Sequence, residues 1–163
     1  MKQRYKIALS LAAVVFGLDQ LTKMLVKANL RHGESISIIQ DFFDLVHVHN
    51  RGAAFGFLNR TDQSWQTWMF AGASVLALFV ILWILRKTPE RDKWTISGLG
   101  LVLGGALGNL LDRVTQGFVV DFMDVYYRNW HWPAFNVADM AICIGAGGLI
   151  LALWKSEHVP NPC

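Results

Sequence analysis

Charge is what this sequence has least of. Asp, Glu, Lys and Arg make up only 17% of its 163 residues while 53% are hydrophobic, a balance too apolar for an ordinary soluble domain. That excludes a water-exposed globule and points to a membrane. Cysteine is scarce too. Cys143 lies inside the last apolar run and Cys163 at the end of the chain; a disulfide between them would join the membrane interior to a polar tail, so two unpaired thiols are expected. No Ala-x-Ala cleavage pattern follows the basic and apolar start "MKQRYKIALSLAAVVFGLDQ", and Asp19 to Lys27 continues it at helical spacing. The expectation is a retained first helix rather than a removed signal peptide. Internal repeats and low-complexity tracts are also missing.

What is present is four long apolar runs, at about 7–28, 67–86, 95–113 and 136–154. Each approaches the ~20 residues that cross ~30 Å of hydrocarbon at ~1.5 Å per residue. They predict a mainly α, four-helix membrane bundle occupying 1–163 as one domain. The net charge of +3 does not suggest nucleic acid, because its placement has another explanation. Lys2, Arg4, Lys6, Arg86, Lys87, Arg91, Lys93 and Lys155 all fall on one side of the bundle, which the positive-inside rule assigns to the cytoplasm together with both termini. Trp65, Trp68, Trp130 and Trp132 then mark the outer boundary, and Trp83, Trp94 and Trp154 the inner one.

Two polar segments lie outside. The first, about 34–60, alternates with period two around Ile36, Ile38 and Val46 to His49, which predicts short strands on or near the bilayer surface. The second, about 115–135, mixes apolar residues with Asp121, Asp124, Tyr126, Tyr127 and Arg128 and suits an interfacial helix or lid that Pro133 ends.

The informative residues are polar ones inside apolar runs. Asp19 and Lys23 share a face of helix one with Gln20 and Thr22 nearby; an ionisable group in a spanning segment costs a few kcal/mol and marks function, the alternative for Lys23 being to snorkel to the outer surface. Helix three carries Gly100, Gly104 and Gly108 at four-residue spacing, a stripe that permits close helix contact. Asn109, Asp112 and Arg113 follow at its outer end, where Arg113 either fixes carboxylates or carbonyls with its fork or forms an interfacial pair with Asp112. Asn136 and Asp139 open helix four; Asn136 has an N-cap reading, whereas Asp139, in fourth place, has no capping role to explain it.

By this topology Asp121 and Asp139 meet in the outer third of the bundle. Two carboxylates at close range share a proton. One, ionised, takes a proton from water while the other, protonated, donates to the carbonyl oxygen under attack. Neither a serine nor a cysteine is placed beside a base as a nucleophile, so water-mediated amide hydrolysis at the outer surface is the expectation.

At these residues the chain resembles the bacterial lipoprotein signal peptidases (signal peptidase II). "DQLTK" (Asp19–Lys23), "NRGAAFG" (Asn50–Gly56), "GGALGNLLDR" (Gly104–Arg113), "GFVVDFMD" (Gly117–Asp124) and "FNVADMAI" (Phe135–Ile142) match that family's blocks in order and spacing. The resemblance implies an aspartyl endopeptidase of the inner membrane, with its site on the outer face, that cuts diacylglyceryl-modified prolipoproteins before the lipidated Cys. It implies Asp121 and Asp139 as the catalytic pair, with Asp19, Lys23, Asn50, Gly52, Asn109, Asp112, Arg113 and Asn136 as supporting residues. It further implies a small outer sheet cradling the substrate and a lid at Thr115–Phe135. No cofactor or metal is expected, membrane lipids are the surroundings, and oligomerisation is not implied. Phe42, Phe43, Phe55, Phe57, Phe118 and Phe122 either hold acyl chains or signal peptide, or dock to lipid.

A structural four-helix scaffold would not explain Asp139, and two further classes fit the sequence less well. A proton-coupled transporter would place ionisable groups at several depths, but the inner halves of helices two, three and four carry none. A metallohydrolase would use His47 and His49 with Asp41, Asp44 or Asp121, but the spacing fixes no third ligand.

Overall fold

The computed structural model describes residues 2–52 and 65–158, with side chains in the last helix described to Trp154. The expectations for Phe55, Phe57, Lys155, Cys163 and the end of the outer strand segment lie outside the described residues.

Four helices form where the apolar runs are: α1 (Gln3–Asn29), α2 (Trp65–Lys87), α3 (Lys93–Gln116) and α4 (Val137–His158). All four are long and apolar enough to cross a membrane. Their outward faces stay hydrophobic, with Leu76, Phe79, Ile150 and Leu153 each more than 60% exposed, as lipid-facing positions should be. All seven tryptophans are exposed. Arg4 donates to the carbonyls of Arg86 (2.7 Å) and Thr88 (2.5 Å) and pairs with Glu90 (3.0 Å). The start of α1 is thereby tied to the α2–α3 loop, and the basic residues of both gather at one end.

Helix α3 is the hub, and glycine makes it so. A Cβ on Gly104 would fall 2.7 Å from the Ala12 carbonyl oxygen, and one on Gly100 2.8 Å from that of Ala8; without them α1 packs backbone to backbone. Sequence reading found this stripe but missed a second one. Gly98 and Gly105 face α4 at Gly145 and Ala138, so α3 is pressed from two sides. Below the polar layer, Ile96, Leu99 and Leu103 of α3 pack with Ala8 and Ala12 of α1 and Ile81 and Leu85 of α2.

The end of the bundle opposite Arg4 and the α2–α3 loop carries an antiparallel sheet in the order β1-β2-β3-β4, formed by Ser35–Ile39, Phe43–Asn50, Val119–Tyr127 and Trp130–His131. The strands expected near Ile36 and Val46 are β1 and β2. The segment 115–135 is no interfacial helix: most of it is β3 and β4. Val119, Val120, Val125, Tyr126 and Tyr127 are strand formers, and pairing with β2 (Val48 opposite Asp121, Asn50 opposite Val119) satisfies their backbone. Gly117 makes the transition. At φ 79° it takes the left-handed conformation that ends α3, its N–H donating to the Arg113 carbonyl (3.1 Å). The chain therefore leaves the helix and enters β3 within two residues.

Strand β3 is buried on both faces. Val120 and Phe122 pack against Val26 and Leu30 of α1, while Asp121 turns the other way, 1% exposed. Phe122 is thus a core residue. The alternation that buries Phe122 is what aims Asp121 inward.

Candidate active site

Eight polar side chains at the sheet-bearing end of the bundle are buried together: Asp19, Lys23, Asn50, Asn109, Asp112, Asp121, Asn136 and Asp139. They come from α1, β2, α3, β3 and α4, and the hydrogen-bond network joins all of them.

Three asparagines hold the two carboxylates of interest. Asn50 Nδ2 donates to Asp121 Oδ2 at 2.9 Å, Asn136 Nδ2 to Asp121 Oδ1 at 2.7 Å, and Asn109 Nδ2 to Asp139 Oδ1 at 2.8 Å. The polarity of each amide is fixed from behind. Asn50 Oδ1 accepts the Gly52 N–H (2.9 Å), Asn136 Oδ1 accepts the Asp139 N–H (3.0 Å), and Asn109 Oδ1 accepts from Lys23 Nζ (3.0 Å). These partners only donate, so each Oδ1 must face them and each Nδ2 must face the acids. Asn136 Nδ2 also lies 3.3 Å from Asn109 Oδ1, which links the two halves.

Asn136 caps α4 through its acceptor for the Asp139 N–H, and the cap is reciprocal: Asp139 Oδ2 accepts the Asn136 N–H at 3.3 Å. The expectation that Asp139 takes no part in capping was therefore wrong. A carboxylate at the third helical position reaches back to the cap residue.

Behind the acids sits Lys23, 1% exposed. It does not snorkel. Its Nζ meets Asp19 Oδ2 at 2.8 Å, Asp112 Oδ2 at 2.9 Å and Asn109 Oδ1 at 3.0 Å, which uses all three ammonium donors. Asp112 consequently pairs with Lys23 rather than with Arg113. Arg113 donates instead to two carbonyls, Gly52 through Nη2 (3.0 Å) and Asn109 through Nη1 (3.3 Å), and its buried Nε has no partner among the described residues. Gln20, given no site role from sequence, donates to Asp19 Oδ2 and Asp112 Oδ1, both at 3.2 Å. Its place in the polar run 19–23 was the available signal.

Burial, and then the neighbouring Asp139 charge, push the Asp121 carboxyl up to about 7 against the donors Asn50 and Asn136. The arrangement can therefore keep one proton between two acids near neutral pH. A cavity of about 250 Å³ between α2, α3 and α4, lined by Phe70, Ala73, Ala77, Val102 and Ile142, reaches Asn109, Arg113 and Asp139. A second pocket, at Trp132, Phe135, Met140 and Cys143, also touches Asp139. An apolar ligand has room beside Asp139.

The two histidines of β2 lie apart from this network. His47 Nδ1 is 2.9 Å from the Leu30 carbonyl oxygen, its Nε2 is 3.2 Å from His49 Nε2, and His49 stacks on Phe118 at 3.7 Å between ring centroids. Among the described residues no group of three His, Cys, Asp or Glu is arranged to hold a metal ion.

Comparison with known proteins gives one family throughout. The family model described as signal peptidase (SPase) II matches residues 11–155. The lipoprotein signal peptidase of Nitratidesulfovibrio vulgaris (strain DP4) is 50% identical over 159 residues, 98% of this chain and 94% of that protein. The lipoprotein signal peptidase of Vibrio cholerae serotype O1 (strain M66-2) is 44% identical over 148 residues, covering 90% and 86%. A solved bacterial membrane enzyme superposes with a TM-score of 0.83 at 29% identity, over 96% of this chain and 93% of that one.

Proposed function

The chain belongs to the signal peptidase II family, and from that premise we propose that Asp121 and Asp139 are the catalytic pair of an aspartic endopeptidase. It is a multi-pass membrane hydrolase that removes signal peptides from prolipoproteins, as its relatives' name states. The observation that carries the residue assignment is the convergence of two buried carboxylates from β3 and α4 under three asparagines whose donors all face them.

The chemistry follows from sharing one proton. The ionised carboxylate draws a proton from a water placed between the two acids. The protonated one donates to the scissile carbonyl oxygen as the tetrahedral centre forms, and the proton taken from water then reaches the leaving amine. The asparagine donors hold both groups at fixed angles, so little reorganisation is needed as charge moves. Arg113, held on the Gly52 and Asn109 carbonyls, orients the substrate backbone beside them.

Depth supplies specificity. We place the chain in the bacterial cytoplasmic membrane with the acids on the outer side, because Arg4, Arg86, Lys87, Arg91 and Lys93 gather at the opposite end. A precursor held by a diacylglyceryl group presents its scissile bond at headgroup level, where the acids sit. The apolar cavity along α2 and α4 accepts the lipid-soluble part of such a substrate, and 1–163 acts as one domain.

The test uses the purified protein in lipid with two versions of one precursor, diacylated and not. Cleavage of the diacylated form alone, directly before its Cys, is expected; equal cleavage of both would remove the lipid from the recognition.

A further inference from the structure

The reading of Asp121 and Asp139 as the reacting pair leaves open why a lysine and two more carboxylates are buried behind them. Replacing such a cluster by apolar side chains of similar volume is often neutral or stabilising, so stability alone does not account for it. The contacts of these two further carboxylates do. Asp19 Oδ1 accepts the backbone N–H of Ala138 at 2.9 Å, and Asp112 Oδ2 accepts the backbone N–H of Val120 at 3.3 Å. Ala138 immediately precedes Asp139, and Val120 immediately precedes Asp121. Each acid of the pair is thus carried by a chain segment that a second acid grips one residue upstream.

Lys23 joins the two grips, at 2.8 Å from Asp19 and 2.9 Å from Asp112. Its remaining donor fixes Asn109, which in turn donates to Asp139. On the reading above, we propose that Lys23 is a positioning residue: by bridging Asp19 and Asp112 it sets the spacing of the segments that carry Asp139 and Asp121, and through Asn109 it sets a hydrogen bond to Asp139 itself. Lysine suits this place because its three donors spread around one nitrogen and meet three acceptors on different sides, which a planar guanidinium cannot do. Glycine at 108 belongs to the same device, since a Cβ there would overlap the Asp19 carboxylate.

The experiment measures kcat, KM and the pH profile on a diacylated precursor for wild type, Lys23→Met, and the triple variant Lys23→Met/Asp19→Asn/Asp112→Asn. The triple variant keeps oxygen acceptors for the Ala138 and Val120 N–H groups and removes all three buried charges, so it is the variant that isolates the bridge from charge repulsion. Expected are a kcat about a hundredfold down in both variants, the cost of a displacement on the order of 1 Å, with KM within threefold of wild type. The two limbs of the pH profile, which report the coupled pair, move relative to one another. A triple variant that melts like wild type and regains full kcat would show that Lys23 only neutralises charge and overturn the proposal, as would a raised KM with kcat unchanged. Wild type sets the reference: if it fails to cut the precursor, the assignment of function fails, whereas equal cutting by wild type and the triple variant sinks the role of Lys23 alone.

Discussion

Asn136 and Asp139 cap each other. The Asn136 side-chain oxygen accepts the Asp139 N–H at 3.0 Å while the Asp139 carboxylate accepts the Asn136 N–H at 3.3 Å. The start of α4 and the position of one reacting acid are therefore one structural feature. Asn136 also donates to Asp121, so a single side chain ends a helix and spans the pair.

Removing it should show both effects. Asn136→Ala is expected to lower stability by about 1 kcal/mol, as for a lost cap, and to lower kcat well beyond what the change in folded fraction explains. Asn136→Ser, which restores the cap acceptor but cannot reach Asp121 with an amide, should recover the melting temperature and not kcat. Thermal melts alongside single-turnover rates decide; recovery of both by serine would reduce Asn136 to a cap.

Arg113→Lys tests the fork. Two carbonyls are held by separate nitrogens, at 3.0 Å from Gly52 and 3.3 Å from Asn109, and a single ammonium cannot hold both in the same geometry. Loss of one charged hydrogen bond is worth roughly 1.5–3 kcal/mol, so kcat/KM should fall about ten- to a hundredfold. An unchanged value would make Arg113 an ordinary helix-end anchor.

The pH dependence has a definite sign. Asp121 is pushed up to about 7 from the usual 3.8, so the shared proton is retained below that pH and lost above it. Activity should decline as pH rises past about 7. Because the folded chain binds this proton and the unfolded chain does not between about pH 4 and 7, the group's contribution to stability is present below about 4 and is lost as pH rises to 7. Rates of cleavage in lipid from pH 5 to 9 check the first statement, and an activity still rising at pH 9 would contradict it.

Gly108→Ala should act at a distance from the acids. The added methyl overlaps the Asp19 carboxylate, which is held by Lys23 and by the Ala138 N–H. Overpacking of this kind costs about 1–3 kcal/mol. Gly72→Ala on α2, where a Cβ meets nothing among the described residues, is the control; equal melting temperatures for the two variants would remove the steric argument.

Much of this was legible beforehand, for physical reasons. The bilayer demands apolar runs of a fixed length, so four helices were found within a few residues of their ends. Charge at depth is costly enough to mark function, so Asp19, Lys23, Asp112 and Asp139 stood out against their neighbours. Strand β2 was found from its period-two sequence, although its burial does not alternate, Val46 and His47 both being buried and Val48 and His49 both half-buried. Strand β3 was not, because its first half is buried on both faces and so "VVDFMD" has no clean period; its Asp121 was brought beside Asp139 by the helix topology and not by strand pattern. The grips on Val120 and Ala138 were invisible because backbone amides carry no sequence signal, and the second glycine face of α3 was hidden by its offset from the first.

The most direct measurement is single-turnover cleavage of a diacylated precursor by Asp121→Asn and by Asp139→Asn in lipid, with folding checked by thermal melts. Each substitution keeps the side chain's shape but removes the titratable proton and turns one acceptor oxygen into a donor, so each should cut at least about a thousandfold more slowly than wild type while still melting cooperatively. Cleavage at the wild-type rate by either folded variant would contradict the pair.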